Sequence, residues 1–441
     1  MNIITVFSYI TLVIIFIQLL ISMYTLIFIL NYKKKIEDIE IKEYPRVSII
    51  VPAYNEEDNI SDTLERLSEL NYPKDKLEII VVDDGSKDNT YNIAKEFERK
   101  YNFIKVFRKE NGGKASALNY GIKKSTGEYI VTLDADSYPK KDVLIEMIKY
   151  FYIDPDVSIV VPSIQTKDVD TIIRKYQYVD YAIYNFSRLV LDQLDSIYIV
   201  PGPFSIFKRE VFEKIGYFDE KNITEDMEIA LRARAHNLKI KYCPNAIVYT
   251  ITPKTFKSLF KQRVRWYLGF IDNYLNYRNK IKNEFLSEVA LGIAILLKII
   301  IPVALVVAVY ASIYNFYQHF MFLYVSNFDL YTIYVKSFML SDFSKFIEDI
   351  RFTIIRQFYL FLFTFLMFSM FLLFILIYRR YEKDHKFSNV LLYIFIYLLF
   401  SLYLNGIFIL SSLYYKIFGS ELRWGGITWR NSLINRLRNI T

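Results

Sequence analysis

The chain has 441 residues, of which 53% are hydrophobic and 17% aromatic, and its formal net charge is +8. This apolar content excludes an ordinary soluble protein of one or two domains. A single cysteine, Cys243, excludes a disulfide framework or a cysteine-rich zinc site, and the three histidines are too far apart to form a metal-ligand pattern. The basic residues cluster beside apolar segments, so we expect them to face anionic lipid headgroups rather than nucleic acid.

The first element along the chain is an apolar run over residues 3–30 that contains no charge. It exceeds the roughly 20 residues that cross a bilayer. No small-residue cleavage site follows it, which favours a membrane helix within residues 1–32 over a signal peptide. Three lysines, Lys33 to Lys35, come next. Because basic loops tend to stay on the cytoplasmic side, we expect a cell-membrane protein whose next domain is cytoplasmic.

Residues 45–250 alternate short β-branched runs with segments of helical spacing. Strands are predicted at 46–52, 77–84, 103–107, 129–133 and 157–162, and helices at 60–70, 86–100, 113–125 and 141–152. Continuous apolar strands are typical of a parallel sheet that is buried on both faces. The pattern predicts a doubly wound α/β sheet with its ligand site at the carboxyl ends of the strands. Neither a Gly-x-Gly-x-x-Gly motif nor a P-loop is present, which argues against a dinucleotide-binding fold and a P-loop enzyme.

Acidic residues follow two of the predicted strands. Asp83 and Asp84 end one strand, and Asp134 and Asp136 follow another. Two carboxylates with one residue between them can share a divalent cation, which takes oxygen ligands and bridges diphosphate oxygens. A lone Asp-x-Asp is more often a solvated turn, but a second acidic strand end favours a site for a metal and a nucleotide.

A helix is predicted over residues 254–270, just before the sequence becomes apolar. Gln262, Arg265 and Trp266 share one face of this helix. Arginine offers paired donors to phosphate oxygens, glutamine adds a neutral donor, and an indole is a flat platform for a pyranose ring. The alternative is an amphipathic helix that only anchors at the headgroups, and this interpretation is favoured for Arg263.

Long apolar runs return in the C-terminal half. They cover residues 286–314, 352–378 and 388–418. Residues 316–340 are interrupted by Asp329 and Lys336, and predict either an interfacial piece or a poor crossing. Hydropathy favours three C-terminal crossings and the distribution of basic residues favours four, so the side of the C-terminus stays open.

Six short motifs follow one another over residues 51–266. They are VPAYNEE at 51–57, VVDDGS at 81–86, GKASALN at 113–119, DAD at 134–136, TED at 224–226 and QRVRW at 262–266. In these motifs the chain resembles the inverting family 2 glycosyltransferases of GT-A fold, in the subgroup of membrane-embedded poly-N-acetylglucosamine, hyaluronan, chitin and cellulose synthases. The resemblance spans about residues 45–270.

The resemblance implies an organisation for the whole chain. A cytoplasmic α/β GT-A (Rossmann-like) domain is inserted between α-helical transmembrane segments. The order is a membrane helix at 1–32, the GT-A domain at 45–250, interfacial helices with the QxxRW motif at 251–285, membrane helices at 286–418 and a basic tail at 419–441. Within the tail, residues 424–430 resemble C-terminal Trp/Arg motifs of related transferases, but an aromatic and basic interface anchor explains them equally well.

The resemblance also implies roles for the matching residues. The nucleotide and donor sugar would contact Pro52, Ala53, Tyr54, Glu56, Asp83, Asp84, Lys114, Asp134, Gln262 and Arg265. Asp134 and Asp136 would hold Mg²⁺ or Mn²⁺ on the diphosphate. Asp226 would be the general base, with Glu225 beside it. The acceptor would contact Trp266 and the loop Gly202, Pro203 and Phe204, although this loop departs from common versions and a plain turn explains it nearly as well.

The implied activity is transfer of a sugar from a UDP-sugar, with UDP-N-acetylglucosamine or UDP-glucose favoured, to a growing β-linked polysaccharide. Two alternatives are a single-transfer glycolipid synthase, similar to ceramide glucosyltransferases, and a dolichyl-phosphate hexosyltransferase. A non-catalytic scaffold is disfavoured by the intact set of carboxylates. The expected partners are the donor, a glycan or lipid acceptor and the bilayer, and whether a homo-oligomer or an accessory subunit completes the protein stays open.

Overall fold

The computed structural model describes residues 39, 41–283, 285–325, 375, 387–418, 422–424 and 427–429. The predicted membrane helix at 3–30 lies outside these residues, as do nearly all of the run at 352–378 and most of the segment at 316–340. The structure divides into two compact units. The larger unit comprises residues 35–299 together with residues from 404 onward. It contains the sheet and the site.

The centre of this unit is one eight-stranded sheet. Its strands are β1 (Val47–Ala53), β2 (Leu77–Asp83), β3 (Ile104–Arg108), β4 (Tyr129–Thr132), β5 (Ser137–Pro139), β6 (Val157–Thr166), β7 (Ser205–Lys208) and β8 (Lys239–Thr250). They are arranged in the order β3-β2-β1-β4-β7-β6-β8-β5. The five predicted strands are confirmed near their predicted bounds.

Among the described residues, eight α-helices accompany the sheet. They are α1 (Ile60–Ser68), α2 (Thr90–Lys100), α3 (Lys114–Lys124), α4 (Val143–Ile153), α5 (Ile172–Gln193), α6 (Arg209–Ile215), α7 (Glu225–Ala235) and α8 (Phe256–Tyr277). The four helices predicted in the first half of the domain are α1 to α4. Helix α8 begins two residues after the start of the helix predicted at 254–270, and it ends at Tyr277, seven residues after the predicted end.

The prediction of a doubly wound parallel sheet is correct for one half of the sheet only. Strands β3, β2, β1 and β4 are parallel, but β7 pairs antiparallel with both β4 and β6. The sheet is therefore mixed. Strand β7 has only four residues and β5 only three, which is too short for a periodic apolar signal in the sequence.

The register of the parallel half brings the two acidic strand ends together. Strand β1 lies between β2 and β4, with Ala53 opposite Asp83 and Ile50 opposite Thr132. The chain leaves β2 at Asp84 and β4 at Leu133, so the acids after both strands lie on either side of the end of β1. Parallel strands whose carboxyl ends meet in this way form the usual ligand crevice of α/β sheets.

Two further helices are long and apolar. A π-helical turn, Phe285–Ala290, leads into α9 (Leu291–Val325), and α10 covers Phe387–Phe418. Within the described residues, two stretches are long and apolar enough to cross a membrane, Phe285–Val303 and Ser388–Phe418, with mean hydropathies of 2.2 and 2.1. These match the predicted runs at 286–314 and 388–418. The number of crossings and the side of the C-terminus stay predictions.

The tail contributes a short hairpin to the described residues. Strands β9 (Leu422–Trp424) and β10 (Ile427–Trp429) pair antiparallel, with Trp424 opposite Ile427. Both tryptophans of the predicted Trp/Arg motif therefore lie on one hairpin. The two interpretations of the tail both stay open.

Candidate active site

A cavity of about 800 Å³ lies at the carboxyl ends of β1, β2 and β4. It gathers most of the residues that the sequence marked, although they come from seven different parts of the chain. The predicted residues that line it are Pro52, Ala53, Tyr54, Glu56, Asp84, Lys114, Asp134, Asp136, Gly202, Pro203, Glu225, Asp226, Gln262, Arg265 and Trp266. The acidic strand ends and the QRVRW helix thus face one space.

Lys114 is the cation at the centre of the acidic side. It is the first residue of α3, placed there by Gly113, whose φ of 89° is in a region that favours glycine. The Lys114 ammonium lies 2.5 Å from Asp134 Oδ1 and 3.3 Å from Glu225 Oε1. Burial alone would lower the pKa of Lys114, but the charges of Asp134 and Glu225 outweigh it and raise the pKa above its usual value. The lysine therefore stays charged beside the predicted diphosphate position.

Gly202 approaches this lysine closely. A Cβ atom at position 202 would lie 2.5 Å from Lys114 Nζ and 2.7 Å from Asp134 Oδ2. We therefore expect Gly202→Ala to push the lysine and the carboxylate apart and to weaken nucleotide binding about tenfold, since overpacking costs about 1–3 kcal/mol. The matched control is Gly292→Ala, because nothing lies within 4 Å of a Cβ there. Titration calorimetry with UDP would measure both, and equal affinities for the two variants would contradict the packing argument.

Asp136 lies in an acidic environment. Its own burial and then the charges of Asp134 and Glu56 raise the pKa of Asp136 to about 7. Glu56 is fixed by a hydrogen bond from Asn59 Nδ2 at 2.8 Å, and burial raises its pKa as well.

Within the described residues, no three Asp, Glu, His or Cys side chains form a group that could hold a metal by themselves. Two carboxylates do fit an ion that also binds substrate phosphates, which is how Mg²⁺ is usually held.

Asp226 lines the cavity from the first turn of α7. Its Oδ1 accepts a hydrogen bond from the Met227 backbone N–H at 2.8 Å. Burial, followed by the charge of Glu225, raises the pKa of Asp226 to about 6, while Lys114 and Arg265 act in the opposite sense. A carboxylate with a pKa just below neutrality can accept a proton at physiological pH.

The two aspartates at the end of β2 have different positions. Asp84 lines the cavity and accepts hydrogen bonds from the Gly112 and Gly113 backbone N–H groups at 3.1 and 2.7 Å. It thereby holds the loop that leads into α3. Asp83 is fully buried beside Arg108, with 3.1 Å between Arg108 Nε and Asp83 Oδ2, and it does not line the cavity. Its position does not match the expected contact with the nucleotide.

Only some residues of the predicted acceptor loop line the cavity. Gly202 and Pro203 line the cavity, but Phe204 is fully buried in the core and does not. Phe204 has a φ of 58°, which is unusual for a bulky residue and turns its side chain from the loop into the core. Phe204 is therefore a packing residue, and the expectation that it contacts the acceptor is wrong.

The three α8 residues do share a face, as predicted, and this face lines the cavity. Arg265 Nη1 donates to the Ile223 carbonyl at 2.9 Å, which holds the guanidinium next to the start of α7. Within the described residues, the buried Gln262 Oε1 has no hydrogen-bond partner. A buried amide oxygen without a partner is costly, so Gln262 is suited to accept a hydrogen bond from a ligand.

Arg263 is buried inside the protein, whereas the prediction of a headgroup anchor would place it at the surface. It is 2% exposed, its Nη2 lies 2.8 Å from Asp180 Oδ2, and its Nη1 donates to the Tyr184 hydroxyl at 2.7 Å. Its guanidinium also lies 4.3 Å from the Trp266 ring centroid. The anchor interpretation is wrong because Asp180 of α5, which belongs to no motif, neutralises the charge inside the protein.

One wall of the cavity was not predicted from the sequence. Tyr181, Tyr184 and Arg188 of α5 line it, together with Tyr198 and Lys298. The three α5 residues are spaced by three and four positions, so they share a helix face. That spacing was a usable signal, but aromatic residues at helical spacing are more often core residues than ligand contacts.

Comparison with known proteins agrees with this geometry. Residues 48–216 match the profile of the family described as Glycosyl transferase family 2. A poly-β-1,6-N-acetyl-D-glucosamine synthase of Staphylococcus aureus (strain MSSA476) is 34% identical over 233 residues, which are 53% of this chain and 56% of that protein. The Staphylococcus epidermidis synthase is 35% identical over 224 residues, 51% of this chain and 54% of that protein. The chain thus spans about half the length of the curated relatives it matches.

One solved structure has a similar fold. It is the mannosyltransferase PcManGT from Pyrobaculum calidifontis in complex with GDP-Man and Mn²⁺. It superimposes with a TM-score of 0.51 at 26% sequence identity, and the match covers 62% of this chain and 77% of that one. These matches confirm a family 2 glycosyltransferase domain and a GT-A-like α/β fold, whereas its placement between several transmembrane segments stays a prediction. Residues 48–216 of this chain belong to a family 2 glycosyltransferase domain with a GT-A-like α/β fold.

Proposed function

We propose that this chain is a membrane-bound inverting glycosyltransferase that adds sugars from a UDP-sugar to a growing β-linked polysaccharide. The observation that carries the proposal is the single cavity in which Asp134, Asp136, Lys114, Asp226 and the α8 face meet. The identity of 34% with a poly-β-1,6-N-acetyl-D-glucosamine synthase supports a polymer as the product and N-acetylglucosamine as a donor sugar.

The chemistry follows from which groups are charged and where they lie. Asp226 takes the proton of the acceptor hydroxyl while the hydroxyl oxygen bonds to the anomeric carbon. The bond from that carbon to the diphosphate breaks in the same step, and its electron pair leaves with the nucleotide. Lys114 and Arg265 stabilise the charge of the leaving diphosphate. No protein nucleophile is needed, and the sugar is transferred with inversion.

Binding and orientation fall to the remaining residues. Pro52, Ala53, Tyr54 and Glu56 would hold the nucleotide at the end of β1, and Trp266 would seat the acceptor sugar. Asp134 and Asp136 would hold Mg²⁺ or Mn²⁺, which supplies positive charge for the diphosphate when it is bound. The GDP-Man and Mn²⁺ in the PcManGT complex support a nucleotide sugar and a divalent ion as ligands of this fold.

We further propose that the domain works at the cytoplasmic surface of the cell membrane in a multi-pass protein. The two apolar stretches Phe285–Val303 and Ser388–Phe418 support this placement. Side chains exposed on α9 and α10 are large and apolar, including Ile299, Val306 and Phe395 at 57–61% exposure. Lipid tails are the natural environment for such a surface.

The proposal is tested with the purified full chain in lipid nanodiscs. Radiolabelled UDP-N-acetylglucosamine, UDP-glucose and GDP-mannose are each supplied with Mg²⁺ or Mn²⁺, and the product is extracted and sized. We expect incorporation from a UDP-sugar and a ladder that extends beyond several sugars. A single product that partitions into organic solvent would instead assign a glycolipid synthase. No incorporation from any donor would refute the proposed activity.

The pH dependence of the reaction follows from Asp226. A general base must be ionised, and the pKa of Asp226 is raised from its usual value to about 6. The active form is therefore present above this pH and is lost as the pH falls below it. We expect kcat/KM to fall about tenfold per pH unit below about pH 6. Initial rates of UDP release measured between pH 4.5 and 8 check this, and a flat profile down to about pH 5 would contradict the assignment of the base.

A further inference from the structure

The turn before Asp226 is held by a neighbouring helix rather than by its own. Thr224 is the N-cap residue of α7, and within the part of the chain that the structure describes its side chain makes no capping hydrogen bond. A threonine at this position usually accepts a bond from an N–H group in the first turn of its own helix. Here Asn273 of α8 donates from Nδ2 to Thr224 Oγ1 at 3.0 Å. The residue that precedes the two acids is therefore tied to α8.

Asn273 closes a ring of hydrogen bonds around this turn. Its Oδ1 accepts from Asn222 Nδ2 at 2.7 Å, and Asn222 Oδ1 in turn accepts from the Thr224 backbone N–H at 3.0 Å. Asn273 is fully buried, and Thr224 is 4% exposed. Asn222 and Thr224 line the cavity, whereas Asn273 does not. Asn273 thus fixes cavity-lining groups from behind, without reaching the space where a ligand would lie.

Gly269 allows α8 to approach the turn this closely. A Cβ atom at position 269 would lie 2.7 Å from Thr224 Cβ, and closer still to the Oγ1 and Cγ2 atoms of that side chain. No side chain fits there unless the turn moves. Arg265 donates to the Ile223 carbonyl of the same turn at 2.9 Å. Because Arg265, Gly269 and Asn273 are spaced by four residues, they form one stripe of α8 that faces this turn, the α8 stripe.

The same helix also carries residues that face the cavity. Gln262 and Trp266 line it from the first half of α8. Helix α8 therefore connects the wall where the acceptor sugar would lie with the turn that leads to Asp226. Proton transfer in a single displacement needs the base and the acceptor hydroxyl in a fixed geometry, so a rigid link between the two affects the rate.

We propose that Asn273 and Gly269 are positioning residues, which hold Asp226 at the distance from the acceptor that proton transfer requires. They act through Thr224 and contact neither donor nor acceptor. The role assigned to Asp226 rests on the proposed function, whereas the hold of the α8 stripe on the turn is independent of any reaction.

The first variant is Asn273→Leu, which keeps the approximate size of the side chain and removes its hydrogen bonds. We expect kcat for sugar transfer to fall about 10–100-fold, because a misplacement of about 1 Å can cost about 100-fold. UDP affinity, measured by titration calorimetry, should stay within about threefold, since a loss confined to the transition state leaves ground-state binding unchanged. Normal kcat in this variant would overturn the proposal.

Ser48→Ala is the matched control for a lost buried hydrogen bond. Ser48 is also fully buried, donates to Glu78 at 2.6 Å and accepts from the Gly127 backbone N–H at 2.8 Å. It lies at the amino end of β1, whereas the cavity lies at the carboxyl end. Like Asn273→Leu it should lower Tm, but its kcat should equal that of the unmodified protein.

Combination with Asp226→Asn distinguishes positioning from a general loss of stability. If Asn273 acts through Asp226, removal of the base leaves nothing for Asn273→Leu to disturb. We expect the double variant to match Asp226→Asn in turnover within about threefold, because residues that act as a unit are not additive. A further fall as large as that of Asn273→Leu alone would overturn the proposal.

Three other variants test the contact from its opposite side, should Asn273→Leu fail to fold. Thr224→Ser keeps the hydroxyl and should keep kcat, whereas Thr224→Val should lose as much as Asn273→Leu. Gly269→Ala should also lower kcat about 10–100-fold by displacing the turn, with Gly292→Ala as its unaffected control. Equal kcat for Thr224→Ser and Thr224→Val would contradict a hold through the hydroxyl.

Hydrogen exchange of the peptide that covers residues 222–228 measures the hold on the turn without any reaction. Asn273→Leu and Gly269→Ala should speed exchange there at least about tenfold, since lost contacts favour local opening, and Ser48→Ala should not. Unchanged exchange in both variants would overturn the proposal at any level of activity. Faster exchange in a protein that transfers no sugar from any donor would confirm the hold and refute the proposed function alone.

Discussion

Asp226→Asn is expected to lower the rate of sugar transfer by about 10²–10⁴-fold, the range that a positioned general base contributes. The amide has the size of the carboxylate but cannot take the acceptor proton. Because Asp134 and Glu225 form the ion pairs with Lys114, the nucleotide end should keep its geometry. UDP affinity should therefore stay within about threefold, and rates of UDP release and UDP titrations measure the two effects separately.

The matched control is Asp219→Asn, at an exposed position shortly before α7. Its turnover should equal that of the unmodified protein. Near-normal transfer by Asp226→Asn would remove this residue as the base. A parallel loss of UDP affinity and turnover would instead make Asp226 a binding residue.

Asp180→Asn is expected to destabilise the domain by about 3–5 kcal/mol, because it leaves the buried Arg263 guanidinium without its counter-charge. Both side chains of this pair are less than one-tenth exposed. The variant should also raise KM for the acceptor, since the Arg263 guanidinium lies against the Trp266 ring. Thermal unfolding in detergent, followed by tryptophan fluorescence, measures the first effect, and initial rates measure the second.

Asp168→Asn provides the comparison for this pair. Asp168 is 45% exposed, and its partner Arg174 keeps a second acid, Asp170, at 3.0 Å. Its loss should cost about 1 kcal/mol or less, as for exposed ion pairs. Replacing Asp180 and Arg263 together by Leu and Met should recover much of the stability while acceptor KM stays high. Equal Tm values for Asp180→Asn and Asp168→Asn would contradict the structural role of the pair.

The sequence was informative where one local pattern determines the structure. Short, continuous and β-branched runs such as VSIIVPA favour strands buried on both faces, so β1, β2 and their neighbours were predicted near their bounds. The antiparallel insertion of β7 was not predictable in this way. Its place between β4 and β6 depends on pairing with two strands that are distant along the chain, and its four residues carry too little pattern.

The same distinction applies to the site. Acids at strand ends and three residues on one face of α8 were recognisable because spacing and strand order bring them together. Arg263 was misjudged because its counter-charge, Asp180, lies 83 positions earlier in the chain on another helix. Phe204 was misjudged because its direction depends on a single left-handed backbone conformation. Arg188 was missed because its position on the wall of the cavity becomes visible only once the fold is known.

A one-step transfer with inversion in this cavity fixes the anomeric configuration of the product. The sugar of UDP-N-acetylglucosamine is α-linked. The product made from it by the purified chain is isolated, and its newly formed linkage is examined by ¹H NMR. We expect a β-linkage, with the large coupling constant of a diaxial anomeric proton. An α-linked product would show retention and would contradict a mechanism in which Asp226 acts as the base of a single displacement.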